Sequence, residues 1–337
     1  MSLKKSTSQN RRRNEKKSSA NVDPKALAPK LLAWYDQHKR DLPWRADREP
    51  YPVWLSEIML QQTRVAAVLE HYRRFLEKFP TVHKLASARE ASVLAAWSGL
   101  GYYRRARMLH AAAKHIVKEH SGKFPSSAEE LRLLPGIGRY TAAAIASIAF
   151  EEPAAVVDGN VERVVARILG RRPSSEEVWR TADDWLDRQR PGDFNQAMME
   201  LGATVCLPRA PQCLLCPLAD TCATRGELKD LEASPRQKKQ QIRFGLARRG
   251  STVFLVQRKK EESLMPGMWE LPKYSGNGDG KTLLSLRHSI TVTDYKVHVL
   301  ELPDPGSADG RWVASSRLAS LPLTGLARKI LKRVDLV

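Results

Sequence analysis

From Pro24 to about Gly226, apolar positions recur at spacings of three and four, the period of a helix buried on one face. ALAPKLLAWYDQHKR predicts an amphipathic helix that stops at LPW. Between Val53 and Phe79, an apolar stripe of Ile58, Val65, Leu69, Tyr72, Leu76 and Phe79 is interrupted by the polar Gln62. Further helices are predicted around 85–98, 103–119 and 127–134, over the apolar run after LPGIG, and at 160–169, 175–189 and 193–204. SGLGYY, SGKFP, LPGIG and RRPSS mark the turns. Beyond the cysteines the period changes. ELKDLEASPRQKKQQIR is polar and charged and reads as a linker. RFGLARRGSTVFLVQRK, ITVTDYKVHVLEL and GRWVASS are β-branched and aromatic with partial alternation, which predicts strands. PLTGLARKILKRV predicts a short closing helix. The pattern is that of a mainly α region followed by a smaller α+β domain, with no internal repeat.

Composition sharpens this in one respect. Hydrophobic content of 42% is ordinary for a globular chain of 337 residues, but the net charge of +19 is not. The first 22 residues hold seven lysines and arginines against one glutamate, so most of the excess sits on the body of the chain. A basic globular body points to a polyanionic partner, with nucleic acid ahead of an anionic membrane. No apolar run approaches the ~20 residues of a membrane span, and no secretory segment follows the basic start. Residues 1–22 read as a disordered basic arm. An intracellular location is expected: cytoplasm or nucleoid in a bacterium, nucleus or mitochondrion in a eukaryote.

The four cysteines, Cys206, Cys213, Cys216 and Cys222, fall in the spacing C-x6-C-x2-C-x5-C. Thiols this close in sequence suit a soft metal centre, either a [4Fe–4S] cluster or a four-cysteine zinc site. Zinc ribbons show two CxxC knuckles and only one is present, so the iron–sulfur reading is favoured. Such a centre could hold the loop PRAPQ with Arg209 toward phosphate. In LPGIGRYTA, Gly136 and Gly138 allow a tight turn and close approach of the backbone, ahead of a helix whose free N–H groups attract phosphate. This is a helix–hairpin–helix signature, which grips a DNA backbone without reading sequence. Two carboxyls stand in contrasting settings. Glu57 lies among Trp54, Leu55, Ile58 and Met59, where the neutral form is favoured and a general acid is possible. Asp158, in VVDGNVERV, meets a helix start and stays ionised. A protonated acid with a fixed anion suits cleavage of a glycosidic bond through an oxocarbenium-like state.

The motifs LPWR, SEIMLQQTRV, WSGLGYYRRARML, LPGIGRYTAAAIAS, VDGNVERV and QAMMELGATVC, with the cysteine spacing, together resemble the helix–hairpin–helix DNA glycosylase superfamily. Within it the match is to the iron–sulfur branch and the adenine DNA glycosylase (MutY) family, from about Leu31 to Cys222, with weaker similarity beyond. The resemblance implies a monomer that removes adenine mispaired with 8-oxoguanine or guanine in double-stranded DNA, flipping the base into a pocket. It implies a helical glycosylase region over 23–226, with a six-helix barrel module at about 41–148 and an iron–sulfur module from 23–40 plus 149–226. A linker at 227–241 and a Nudix-like domain at 242–337 would follow. It further implies Glu57 as the acid that protonates adenine N7 and Asp158 as the carboxylate facing the C1′ cation. Asn160 would support Asp158, and Tyr140 would be an active-site tyrosine. Gln62 and Tyr102 would wedge into the base stack, and Trp44, Arg45 and Gln196 would line the adenine pocket.

Endonuclease III-like glycosylase/lyases share the hairpin and cluster, but carry a lysine where Tyr140 stands and form a Schiff base with it. A phenol cannot, so a monofunctional glycosylase is expected. A non-catalytic damage-binding scaffold is the other alternative; it gives Glu57 and Asp158 no reason for their settings. MPGMWELP resembles the Gly-x-Trp-Glu region of the Nudix-like domain that reads 8-oxoguanine in this family. The Glu-rich hydrolase box is missing, so no pyrophosphatase activity is expected. Where the family shows Phe-Ser-His in its lesion-reading loop, this chain has Ile290, Thr291 and Val292. Thr291 keeps a hydroxyl for the lesion, while the aromatic wedge and the histidine are lost.

Overall fold

The computed structural model describes residues 24–228, 238–262, 264–274, 281–290, 293–306 and 308–337. The basic arm, most of the expected linker, and Thr291 with Val292 lie outside the described residues. The described chain divides into two units, one from residues 24–57 and 124–228, the other from 58–123 and 238–337. In chain order the helices are α1 (Pro24–His38), α2 (Pro50–Leu60), α3 (Val65–Lys78), α4 (Val82–Ala86), α5 (Glu90–Trp97), α6 (Arg104–His120), α7 (Ala128–Leu131), α8 (Arg139–Ala149), α9 (Gly159–Leu169), α10 (Ser175–Trp185) and α11 (Pro191–Thr204).

In the first unit, starts and stops follow local chemistry. Ser127 caps α7 by accepting from the Glu130 backbone N–H at 3.2 Å, while its hydroxyl donates to the Glu130 carboxylate at 2.9 Å. Ser174 caps α10, and Glu176 and Glu177 follow in the first turn, favoured by the helix dipole. The core packs α1, α9, α10 and α11 through Leu27, Leu31, Tyr35, Val161, Val165, Ile168, Val178, Trp185, Phe194 and Leu201. Each aliphatic side chain among them contributes about 1.5–3 kcal/mol on burial. A second cluster joins Val53 of α2, Ala143, Ala144 and Ile148 of α8, and Val156, with Tyr140 and Met199 against it.

In the second unit the predicted stripe is carried differently. Gln62, at φ 55°, lies between α2 and α3 rather than inside a helix. The buried seam of α3 is Val68, Tyr72 and Phe75, with Phe79 at its end, while Val65, Leu69 and Leu76 are only half-buried. The seam is therefore shifted round the helix, because Phe75 packs edge-on against Trp97 of α5, ring centres 5.9 Å apart. The segment expected as one helix at 85–98 is two, α4 and α5.

The α+β part contains β1 (Lys238–Leu246), β2 (Arg248–Arg249), β3 (Thr252–Gln257), β4 (Trp269–Glu270), β5 (Thr282–Ile290), β6 (Thr293–Glu301) and β7 (Gly310–Ala314), then α12 (Ser315–Leu318) and α13 (Gly325–Arg333). One sheet has the order β1-β6-β5, with β6 parallel to β1 and antiparallel to β5. The other runs β2-β3-β4, with β7 antiparallel to β3. Phe244, Val253, Leu255, Trp269, Val297 and Val299 share one core with Leu326, Ile330 and Leu331 of α13. Within this unit the Leu323 carbonyl accepts from Ser98 Oγ at 2.8 Å and from the Tyr103 hydroxyl at 3.1 Å.

Candidate active site

Glu57 sits near the end of α2 and is 5% exposed. The Tyr140 hydroxyl donates to its Oε2 at 2.6 Å, and Met199 Sδ lies 3.5 Å from the same hydroxyl. Burial pushes the Glu57 carboxyl up to about 7. The Tyr140 hydrogen bond and the positive charge of Arg45 pull it down, and Asp158 pushes it up. The carboxyl thus exchanges its proton near neutrality, as a general acid must. Tyr140 is driven well above the ordinary phenol range by its own burial and by Glu57, so it remains a donor.

Asp158 is fixed in place by the start of a helix. It is the N-cap of α9, and its Oδ1 accepts from the backbone N–H groups of Asn160 at 2.9 Å and Val161 at 2.8 Å. Its Oδ2 accepts from Asn160 Nδ2 at 2.8 Å. Asn160 Oδ1 in turn accepts from Arg163 Nη2 at 2.8 Å, and Arg163 also binds the carbonyls of Gly202 and Cys206. A Cβ on Gly202 would come within 2.5 Å of Asn160 Cβ, so only glycine lets α11 approach the start of α9. The chain entering Asp158 is fixed by buried Asn195. It accepts from Val156 N at 3.0 Å and donates to the Ala154 carbonyl and to Ser147 Oγ.

Arg45, in the 3-10 turn Pro43–Arg45, donates from Nε to Gln196 Oε1 at 3.2 Å. With Trp44 and Gln196 it lines a cavity of about 260 Å³. In the hairpin, Gly136 takes φ 75°, a conformation that favours glycine. Gly138 does not need its freedom, contrary to expectation. It is the extended N-cap of α8 at φ −92°, and a Cβ there would meet nothing within 4 Å. What its bare backbone leaves is room for a ligand at the helix start.

The four cysteines are free and half-buried. The Cys216 thiol is pushed up to about 11 by burial, with a Leu218 backbone hydrogen bond opposing and the sulfurs of Cys206, Cys222 and Cys213 adding. Arg167, 3% exposed, donates to Cys206 Sγ at 3.2 Å and to the carbonyls of Leu207 and Pro208. The donor set fits a soft, cysteine-bound centre in kind. Among the described residues, no group of three or more His, Cys, Asp or Glu side chains stands in metal-holding geometry.

Within the first unit, Tyr140, Asp158 and Arg45 act on Glu57, Asn160 holds Asp158, and Trp44, Arg45 and Gln196 line a cavity whose lining does not include Glu57, Tyr140 or Asp158. Gln62 and Tyr102 belong to the second unit, at φ 55° and 48°, and both are exposed. Both of their loops are held by Arg105, which no local sequence pattern singles out. Its Nη1 donates to the carbonyls of Ile58, Met59 and Gln61, and its Nη2 to Thr63 Oγ1, Leu100 and Gly101. Glu200, also absent from the sequence-based expectations, is 1% exposed and binds Arg40 and Arg45. A charged residue on an otherwise apolar helical face is the available signal in its case.

Residues 55–188 match the family model of the HhH-GPD superfamily base excision DNA repair protein. A mouse (Mus musculus) adenine DNA glycosylase is 49% identical over 234 residues, 64% of this chain and 45% of the relative. The chain thus spans about half the length of that relative. An adenine DNA glycosylase of Buchnera aphidicola subsp. Acyrthosiphon pisum is 32% identical over 255 residues, covering 72% of this chain and 73% of the relative. Among solved structures, a thermostable thymine-DNA glycosylase superposes with a TM-score of 0.56 at 28% identity, over 60% of this chain and 96% of that one.

Proposed function

Because this chain belongs to the adenine DNA glycosylase family of the HhH-GPD superfamily, we propose that it excises adenine mispaired with 8-oxoguanine or guanine in duplex DNA and leaves the strand uncut. The observation that carries the reading is the pair of carboxyls in contrasting settings. Glu57 is buried against Tyr140 with its proton exchanging near pH 7, and Asp158 is anchored by three N–H donors. Glu57 donates its proton to N7 of the flipped adenine, which turns the base into a leaving group. The bonding pair leaves C1′ with the protonated base, the Asp158 carboxylate balances the positive charge that develops there, and water then bonds to C1′ and gives up a proton. Asn160 and Arg163 keep that carboxylate turned to one side. Tyr140 keeps the Glu57 carboxyl in place and offers no amine for an imine, so strand scission through a Schiff base is not available.

Trp44, Arg45 and Gln196 receive the base, the hairpin at Gly136 and Gly138 grips phosphate, and Gln62 and Tyr102 enter the base stack. Cys206, Cys213, Cys216 and Cys222 would hold a [4Fe–4S] cluster, which would supply a fixed tie for the loop that carries Arg209. The region from 242 onward is a Nudix-like domain that reads the opposing base, with Thr291 at its lesion loop. The chain acts as a monomer. The test is single-turnover incubation with duplexes holding adenine opposite 8-oxoguanine, guanine or thymine. Release is expected from the first two, fastest from the first. Adenine left attached in all three would overturn the reading.

A further inference from the structure

Glu200 lies on α11, one turn beyond Gln196, and both of its oxygens are engaged. Oε1 accepts from Arg40 Nε at 2.6 Å and from the Arg40 backbone N–H at 3.2 Å. Oε2 accepts from Arg40 Nη2 at 2.8 Å and from Arg45 Nη2 at 2.9 Å. Arg45 uses its other donors within the same group, Nη1 on the Arg40 carbonyl at 3.0 Å and Nε on Gln196 Oε1 at 3.2 Å. Burial alone would keep Glu200 neutral, but the hydrogen bonds from Arg40 and Arg45 overcome it and hold the carboxyl below its ordinary range. The group is a buried anion serving two cations, and both of those cations line the cavity beside Gln196.

The arrangement matters for Glu57. The charged and titratable groups that act on it are Tyr140 from α8, Asp158 from the start of α9, and Arg45 from the 3-10 turn. Arg45 is the cation among them, and a cation favours loss of the proton that a general acid must keep. An arginine used to line a base pocket therefore opposes the acid unless its charge is answered.

We propose that Glu200 is a positioning and charge-balancing residue of the base pocket: it fixes Arg45 and, through Arg45, the amide of Gln196, and it pairs with the positive charge that works against protonated Glu57. This rests on Glu57 being the acid, and the experiment separates the two. Single-turnover release of adenine opposite 8-oxoguanine is followed from about pH 5.5 to about pH 9 for the full chain and for Glu200→Gln, Glu200→Asp and Arg45→Gln. In Glu200→Gln the fall in rate with rising pH moves to lower pH. Release at about pH 8 drops about tenfold further than release at about pH 5.5, where the loosened Arg45 and Gln196 account for the loss. Glu200→Asp keeps the charge and leaves the fall where it was. Arg45→Gln moves the fall to higher pH, and this converse shift carries the test if Glu200→Gln does not fold. A Glu200→Gln profile equal to that of the unaltered chain, or lowered equally at every pH, overturns the proposal. An unshifted fall in Arg45→Gln does the same. If the unaltered chain releases no adenine at any pH, the excision reading itself fails and this proposal with it.

Discussion

The pocket around Glu57 and the two loops that carry Gln62 and Tyr102 are held by opposite devices. In the pocket, side chains hold side chains: Tyr140 on Glu57, Asn160 on Asp158, and Glu200 on Arg40 and Arg45. In the loops one guanidinium, that of Arg105, holds backbone, donating to five carbonyls and to the Thr63 hydroxyl. The difference follows from what each region has to keep constant. The chemistry depends on protonation state, which burial, neighbouring charges and hydrogen bonds set. Loops proposed to enter the base stack depend on backbone shape, here two non-glycine residues at positive φ, with Gln62 and Tyr102 left exposed. Arg105 itself is lowered to about 10 by burial, which leaves it charged at any physiological pH.

The largest effect is expected at the pocket. Glu57→Gln should cut adenine release by about a thousandfold while duplex affinity changes less than about threefold. Single-turnover kinetics beside a binding titration check this. The same substitution should stabilise the fold. The Glu57 carboxyl binds its proton more tightly folded than unfolded, so stability falls as pH rises from the ordinary carboxyl range through about 7, and the whole penalty is present above that. Glutamine removes it, a gain of about 2–3 kcal/mol at about pH 8 and little at about pH 4, read by denaturant unfolding.

Arg105→Ala breaks the other region. It should cost about 2–4 kcal/mol of stability by leaving loop carbonyls without a donor. Affinity for the mispaired duplex should fall further than the rate at saturating DNA. Equal losses in both would mean that the loops and the pocket are not separate devices. The smallest effect is expected for Tyr140→Phe. The hydroxyl pulls the Glu57 carboxyl down, so its loss should move the fall of rate with pH upward, with no gain of strand scission on a denaturing gel.

Much of the pocket is legible in the sequence because its parts have local signatures. Asp158 follows an apolar run and precedes a helix, which is where a cap belongs, and Gly136 marks a turn. Glu57 is visible as a carboxyl among apolar neighbours. Glu200 and Arg105 do not stand out, because their partners lie far off in sequence, at Arg40 and Arg45 for one and at residues 58–63 and 100–101 for the other. Spacing within a helix cannot reveal such pairings. The shifted seam of α3 has the same cause, since Trp97 decides which face is buried. β5 is legible in hindsight: Leu284, Leu286 and His288 alternate with Ser285, Arg287 and Ser289, and Leu286 is buried in the core.

The central claim is that Glu57 delivers the proton. The direct measurement is the single-turnover rate of adenine release opposite 8-oxoguanine across about pH 5.5 to 9, for the unaltered chain and Glu57→Gln. The rate of the unaltered chain should fall through about pH 7, and that of Glu57→Gln should be slow and lack this fall. The same fall in Glu57→Gln, or a flat profile across neutrality in the unaltered chain, would contradict it.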